Sequence, residues 1–380
     1  MSVPGGVLLV TRNLPPLLGG MERLNLQICR ALAEGGECHV VGPEGSAAKL
    51  PPGVVVREIP IRPLSLFVVR AAIAAWQMAA RHRPSWVLAG SGLTAPMAWL
   101  AAIRARARSA VYAHGLDLIV PSSVYRALWI PIIRRLDLCL VNSRHTAELA
   151  QGVGIAKQKI VVINPGVDQP AEDASDTMAG FRTRHGLGQG PILLSVGRLT
   201  RRKGLSEFVA NAFPRIAAHS PTVQLVVIGD YAPDALTGGG AELWQDVMEV
   251  AGRCGVTAHV HHLGVVDDDE LAAAYREAVA HVFPVRAIEG DIEGFGMVAL
   301  EAASRGTPTI AFSVGGVPDA IGEGQSGMLI EPGNYDGFAD AVCRVIDDPW
   351  NRAMAMEFAA ERSWHRFGER IRAALVLHAG

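Results

Sequence analysis

The stretch from Glu293 to Glu301 reads Glu-Gly-Phe-Gly-Met-Val-Ala-Leu-Glu. These residue types at this spacing could hold an anion and a polyol together. Glu293 sits on a Gly-rich turn, and Glu301 follows eight positions later inside what reads as a helix. Glycines let the backbone come close to a ligand. A helix start offers N–H groups without intrahelical partners and the positive end of the dipole, a setting for phosphate. Glu301, about two helical turns beyond Glu293, is placed to meet another polar part of the same ligand, such as a ribose. The competing reading is a surface turn leading into an amphipathic helix, with two solvated glutamates.

A second segment, about 95 residues upstream, weighs against that reading. The apolar run Ile192–Val196 is followed by Gly197, Arg198, Leu199, Thr200, Arg201, Arg202, Lys203 and Gly204. A buried strand ending in glycine, then a basic loop, then a helix describes an anion site. Fixed cations, helix-terminal N–H groups and two carboxylates together suit a sugar nucleotide.

These segments need strands and helices to position them. Strand-like runs are expected near Val7–Val10, Cys38–Val41, Val54–Glu58, Trp86–Ala89, Ala110–Ala113, Leu138–Val141 and Ile160–Ile163. In the second half they fall near Ile192–Val196, Gln224–Ile228, His259–His262, His281–Phe283, Thr309–Phe312 and Met328–Ile330. Helical periodicity fills the gaps, as in Glu22–Ala33 and Phe67–Arg81. Such alternation predicts parallel sheets with right-handed crossovers, hence an α/β chain of two Rossmann-like domains parted by the polar Gln169–Thr177 stretch. Ligands bind at the carboxyl ends of strands in such sheets, and the cleft between two facing domains is the expected site.

A length of 380 residues agrees with two domains. Hydrophobic residues make up 49% and charged residues 19%, so both domains can bury large cores. The net charge of −2 hides an asymmetry. Residues 1–170 carry 18 Lys and Arg against 9 Asp and Glu, whereas residues 171–380 carry 17 against 28. The first half is therefore expected to face an anionic partner. Nucleic acid is the weaker reading of that partner and is not expected, because no aromatic stacking pattern accompanies the basic residues. An anionic membrane surface or a lipid-phosphate acceptor fits better. Three segments that mix apolar and basic residues, Leu66–Arg83, Trp99–Arg108 and Tyr125–Arg135, read either as bilayer-facing or as core helices with snorkelling arginines.

The five cysteines, Cys29, Cys38, Cys139, Cys254 and Cys343, show no metal or redox spacing and are expected to be reduced core thiols of a cytoplasmic protein. No secretory signal is expected, since no cationic segment precedes the first short apolar run. The uncharged stretch from Pro84 to Ile103 is broken by Gly90, Ser91, Gly92, Thr94 and Pro96, and is expected to be a strand, a loop and a helix rather than a membrane span. His259, His261 and His262 do not make a metal site. Only His259 and His261 would share a strand face, and no carboxylate or Cys has suitable spacing. Asp267–Glu270 reads as the cap of a helix over Leu271–Ala280.

Gly19 and Gly20 precede a helix, His114-Gly115 ends a predicted strand, and Asn164-Pro165-Gly166-Val167-Asp168 follows another. The first of these loops is not the Gly-x-Gly-x-x-Gly fingerprint of a dinucleotide oxidoreductase. Taken in order with Gly197-Arg198, Lys203-Gly204, Glu293-x7-Glu301, Gly315-Gly316-Val317-Pro318-Asp319 and Gly327-x-Leu329, the chain resembles the retaining glycosyltransferases of the GT-B fold, family 4, over nearly its whole length. The form Asp291-Ile292-Glu293-Gly294-Phe295-Gly296 is similar to that of bacterial surface-polysaccharide and lipid-glycan transferases.

The resemblance implies a first domain of residues 1–170 completed by a C-terminal helix near 364–380, and a nucleotide-sugar domain of 171–363. It implies that Arg198 and Lys203 hold the donor diphosphate and that Glu301 bonds the ribose. Glu293 and the backbone of Gly294, Phe295, Gly296, Met297 and Val298 would face the donor, with Gly197 in the basic loop. His114 would lie near the anomeric carbon, and Gly19 and Gly20 near the diphosphate or the acceptor. The implied reaction moves a sugar from a GDP-, UDP- or ADP-sugar to a glycan or lipid-linked acceptor, with retention, no divalent metal and no other cofactor, in a cytoplasmic protein peripheral to the inner membrane face. The alternatives are a sugar-nucleotide epimerase or hydrolase of the same fold, and a non-catalytic scaffold that binds sugar nucleotides.

Overall fold

The computed structural model describes residues 3–170, 180–230 and 242–378. The chain divides into two compact units, Met1–Gly166 with Trp364–Gly380, and Val167–Ser363. Most of the Gln169–Thr177 stretch expected to link them lies outside the described residues.

The first unit is built on a parallel sheet of seven strands: β1 Val7–Val10, β2 Cys38–Pro43, β3 Val55–Ile59, β4 Trp86–Ala89, β5 Arg108–Ala113, β6 Leu138–Val141 and β7 Ile160–Val162. Their order is β3-β2-β1-β4-β5-β6-β7. The second unit has six parallel strands: β8 Ile192–Val196, β9 Gln224–Ile228, β10 Val260–Gly264, β11 Ala280–Phe283, β12 Thr309–Phe312 and β13 Gly327–Ile330. Their order is β10-β9-β8-β11-β12-β13. In each sheet the strand order therefore reverses once, at β1/β4 and at β8/β11.

The central strands are continuous apolar runs because helices cover both faces. Val-Leu-Leu-Val of β1 is wholly buried, as are β4 and β6. In the second unit Leu193, Leu225, Val282, Phe283 and Ile310 lie in one core with Phe208, Phe213 and Phe338. The register pairs Val7 with Cys38 on one side and Trp86 on the other, and Ala280 with Leu193 across the β8/β11 reversal.

The Trp364–Leu377 helix belongs to the first unit and lies on the Gly20–Glu34 helix. Arg372 donates to Ala31 O at 2.9 Å and pairs with Glu34 at 3.0 Å. Val167 pairs with Ser363 in an isolated bridge within the second unit, close to both points where the chain passes between units.

Two local expectations need correction. His259 lies in the short Thr257–His259 helical turn before β10, and its Nδ1 meets Val223 O at 2.8 Å, so it does not share a strand face with His261. The helix expected over Leu271–Ala280 runs Asp268–Glu277. Asp267 caps it, accepting from Glu270 N at 2.8 Å. The cysteines show no pairing in sequence, yet the fold brings the Cys29 and Cys38 sulfurs to 3.9 Å as free, buried thiols.

Candidate functional site

The candidate residues gather at the two sheet reversals, where open α/β sheets bind their ligands. In the second unit, the Gly197–Gly204 loop leaves β8 and the 284–296 segment leaves β11, its hydrogen-bonded neighbour. These two connections bring Lys203, Glu293 and the start of the Met297–Ser304 helix to one place.

Lys203 Nζ donates to Glu293 Oε2 at 2.8 Å and lies 4.5 Å from the centre of the Phe283 ring. The same carboxylate oxygen accepts from Arg202 Nη1. Arg202 Nε donates in turn to Asp291 Oδ1 at 3.1 Å. All four side chains are largely withdrawn from solvent, Arg202 the most at 9% exposure. Burial by itself would raise the Glu293 carboxyl, but Arg202 and Lys203 outweigh it and hold the group down at about 2. Burial lowers the Lys203 ammonium, against the pull of Glu293. Burial also works to lower Arg202, and the charges of Glu293 and Asp291 reverse it. Glu293 is therefore a fixed carboxylate at neutral pH. It can accept hydroxyl hydrogen bonds and cannot serve as a proton donor.

The backbone under Glu293 is clamped by the Gly315-Gly316 turn that follows β12. Gly316 N donates to Glu293 O at 2.8 Å. A Cβ on Gly316 would sit 1.9 Å from Gly294 O, and one on Gly315 would sit 2.6 Å from Glu293 O. Gly296 precedes the helix with φ of 93°, a left-handed conformation that favours glycine. Phe295 is buried in the core and fixes the turn from beneath.

The Met297–Ser304 helix places its first-turn N–H groups beside this carboxylate loop. Met297 and Val298 form its start. Glu301 stands one turn into the helix rather than two, because residues 293–296 lie outside it. Its Oε2 faces the Tyr275 hydroxyl at 3.5 Å, and Tyr275 also reaches Val298 O at 3.2 Å. Arg198 is exposed at the beginning of the basic loop, next to Gly197, whose N–H bonds Ile228 O at 2.9 Å.

The remaining candidates, Gly19, Gly20 and His114, belong to the first unit. His114 is buried after β5, and its Nε2 meets Gly90 O, past the end of β4, at 2.9 Å. A carbonyl can only accept, so Nε2 carries a proton. Asp117 fixes the loop by accepting from His114 N at 2.9 Å and Gly92 N at 2.8 Å. Gly19 and Gly20 are exposed at the start of the first helix. The space over Gly19 is taken by Glu22, held by Asn13 Nδ2 at 2.6 Å.

Arg202 and Asp291 escaped the functional reading of the sequence. Arg202 stood only within the run Arg201-Arg202-Lys203, in which a middle Arg that pairs inward looks like its neighbours, and Asp291 only within the Asp291–Gly296 form, with no role attached to it. Among the described residues, no group of three or more His, Cys, Asp or Glu side chains could hold a metal ion.

Residues 181–362 match the family model described as glycosyl transferases group 1, and residues 18–169 match that of glycosyltransferase family 4. A GDP-mannose-dependent alpha-(1-6)-phosphatidylinositol monomannoside mannosyltransferase of Mycolicibacterium smegmatis is 27% identical over 94% of this chain and 93% of its own. A D-inositol 3-phosphate glycosyltransferase of Nocardiopsis dassonvillei is 28% identical over 96% and 92%. Among solved structures, Anabaena HepE in complex with UDP and glucose aligns over 97% of this chain and 99% of its own, with a TM-score of 0.76 at 19% identity. At that identity the likeness concerns the fold. With one family model on each half and GT-B architecture throughout, the chain belongs to the family 4 glycosyltransferases.

Proposed function

We propose that the protein moves a sugar from a nucleoside-diphosphate sugar to a lipid-linked or other glycan acceptor at an anionic membrane surface, with retention and without a metal ion. The observation that carries this reading is the set of Lys203, Glu293 and a helix start, held at the β8/β11 reversal. Cleaving the sugar–diphosphate bond puts negative charge on the departing group. Lys203 and Arg198 answer it with fixed cations, and the first-turn N–H groups at Gly296–Val298 add donors.

Preorganised donors of this kind each lower a barrier by roughly 3–4 kcal/mol. A helix dipole alone gives about 0.3–1 kcal/mol at an exposed site, so the cations dominate. Glu293, already ionised, accepts from sugar hydroxyls, and Glu301 accepts from the ribose. The departing phosphate takes the acceptor's proton as attack proceeds on the same face of the sugar. No protein nucleophile is needed.

The name of one relative specifies a phosphatidylinositol mannoside and supports a lipid-type acceptor, while that of the other specifies inositol 3-phosphate, a soluble acceptor to be tried beside it. The first name also makes GDP-mannose the first donor to try, ahead of UDP- and ADP-sugars. The test is product analysis with labelled donors, with and without phosphoinositide-containing vesicles and with and without chelator. A labelled glycolipid that keeps the donor's anomeric configuration supports the proposal. Free labelled sugar or an epimerised nucleotide sugar as the sole product, or turnover abolished by chelator, overturns it.

A further inference from the structure

No Asp or Glu occurs from Ile59 to Leu116. Two long helices of the first unit, Leu64–His82 and Ala95–Ala105, fall inside this stretch, and a third without acids, Ser123–Arg135, follows it. The three are neighbours, with the Ala95–Ala105 helix next to each of the other two. Among the described residues, sixteen large apolar side chains are well exposed, and nine of them stand on these three helices. Val69, Ile73 and Trp76 form one outer stripe at helical spacing, at 55%, 53% and 44% exposure. Ile103 on the second helix and Val124 and Leu128 on the third are each more than half exposed. Arg70, Arg104 and Arg126 stand among them, also exposed. Arg104 lies over the Trp76 ring at 5.8 Å, so the first two helices present one continuous surface.

We propose that this surface is a docking face for an anionic lipid bilayer. Monomeric proteins rarely leave so much apolar surface in one place without a partner. Leucine, isoleucine, valine and tryptophan among arginines, with acids absent, match the acyl–headgroup boundary of a negatively charged leaflet. The Leu64–His82 helix is long and apolar enough to cross a membrane. It does not, because its other side, Phe67, Ala71, Ala74, Ala75, Met78 and Ala79, is core of the first unit. The helix lies on the bilayer and keeps its inner stripe on the sheet. The sequence left these segments as either bilayer-facing or core helices; the fold buries one side of each in the core and leaves the other side exposed.

The proposal deepens the lipid-acceptor reading above, yet its test needs no turnover. The full chain is sedimented with phosphatidylcholine vesicles and with vesicles containing phosphatidylglycerol, at low and high salt. Binding is expected only to the anionic vesicles and should weaken at least tenfold at high salt. Ile73→Gln with Trp76→Gln should lower partitioning tenfold or more, and so should Arg70→Gln with Arg104→Gln. Val265→Gln, an exposed apolar position on the second unit, should change nothing. Each variant is checked for unaltered melting, so that a loss of binding reports the surface. The proposal is overturned if the protein stays in solution with anionic vesicles at low salt, or if folded variants bind as the parent does. It is equally overturned if the parent is a dimer that these substitutions make monomeric, because the face then belongs to a second copy.

Discussion

Lys203 Nζ lies 2.8 Å from Glu293 Oε2, and Arg202 holds the same oxygen from the other side. On the function proposed above, a diphosphate entering beside Lys203 would take over that ammonium, and Arg202 would keep Glu293 neutralised. The two neighbouring bases would then divide the work, one toward the ligand and one toward the protein. Lys203→Ala should therefore fold, because Arg202 still answers Glu293, while its kcat falls about a hundredfold or more. Steady-state kinetics with the preferred donor, alongside a thermal melt, gives both quantities. Near-normal turnover would remove Lys203 from the leaving-group site.

Arg202 should behave differently. It is a buried cation serving two carboxylates, Asp291 and Glu293. Removing one partner of a buried pair leaves uncompensated charge and costs about 3–5 kcal/mol. Arg202→Gln is expected to lose stability of that order in urea or guanidinium denaturation. A stability equal to wild type would mean that Lys203 and solvent suffice for Glu293.

The contrast between these two residues shows how much of the site was legible. Glu293, Glu301 and Lys203 could be read because their types recur at spacings that a strand–loop–helix unit imposes, and all thirteen strands announced themselves as apolar runs between turns. Arg202 could not be read, since its partner Asp291 lies 89 positions away and the register of two loops decides the contact. The Gly315-Gly316 turn was visible as a motif, but its purpose depends on a carbonyl of another loop. Cys29 and Cys38 looked unrelated because the intervening residues form a helix end and a turn that bring them back together. Long-range pairing of this kind leaves no local period to find.

Glu301 should separate binding from chemistry. It stands one helical turn beyond the helix start, beside Tyr275, and its proposed partner is the ribose rather than the bond that breaks. A hydrogen bond to a charged group is worth about 1.5–3 kcal/mol. Glu301→Ala should then weaken donor affinity by about tenfold or more in calorimetry while kcat changes little. Lost turnover at unchanged affinity would overturn the ribose assignment.

Acid stability should carry the mark of His281. Its ring is wholly buried in β11, with Nδ1 at 3.1 Å from the Thr309 hydroxyl. Burial chiefly, and then the Lys203 charge, push its pKa from 6.5 down to about 3. Folding therefore favours the neutral ring. Its contribution is intact above 6.5 and is lost as pH falls from there toward 3. Glu293, depressed from 4.5 to about 2, adds its own loss only below 4.5. Between 6.5 and 4.5, His281 should give up to about 1.4 kcal/mol of destabilisation per pH unit. His281→Leu should flatten that part of the unfolding free energy relative to wild type and leave the lower limb in place. Parallel curves would show that the ring is not held neutral by the fold.

Gly316 has a φ of −85°, an ordinary helical value, so alanine meets no backbone strain there. Its obstacle is steric: the new methyl would sit 1.9 Å from Gly294 O and 2.9 Å from Phe295 Cα. Both are backbone atoms, which cannot rotate away as a side-chain tip can. The Glu293–Phe295 loop must move, and the Gly316 N to Glu293 O hydrogen bond moves with it. Gly316→Ala should cost about 1–3 kcal/mol of stability and should also lower donor affinity, since Glu293 and the helix start shift together. Gly152→Ala serves as the comparison, because a Cβ there meets nothing within 4 Å. If Gly316→Ala binds donor as tightly as Gly152→Ala does, the loop is more compliant than this clamp allows, and the preorganisation ascribed to Glu293 must come from Arg202 and Lys203.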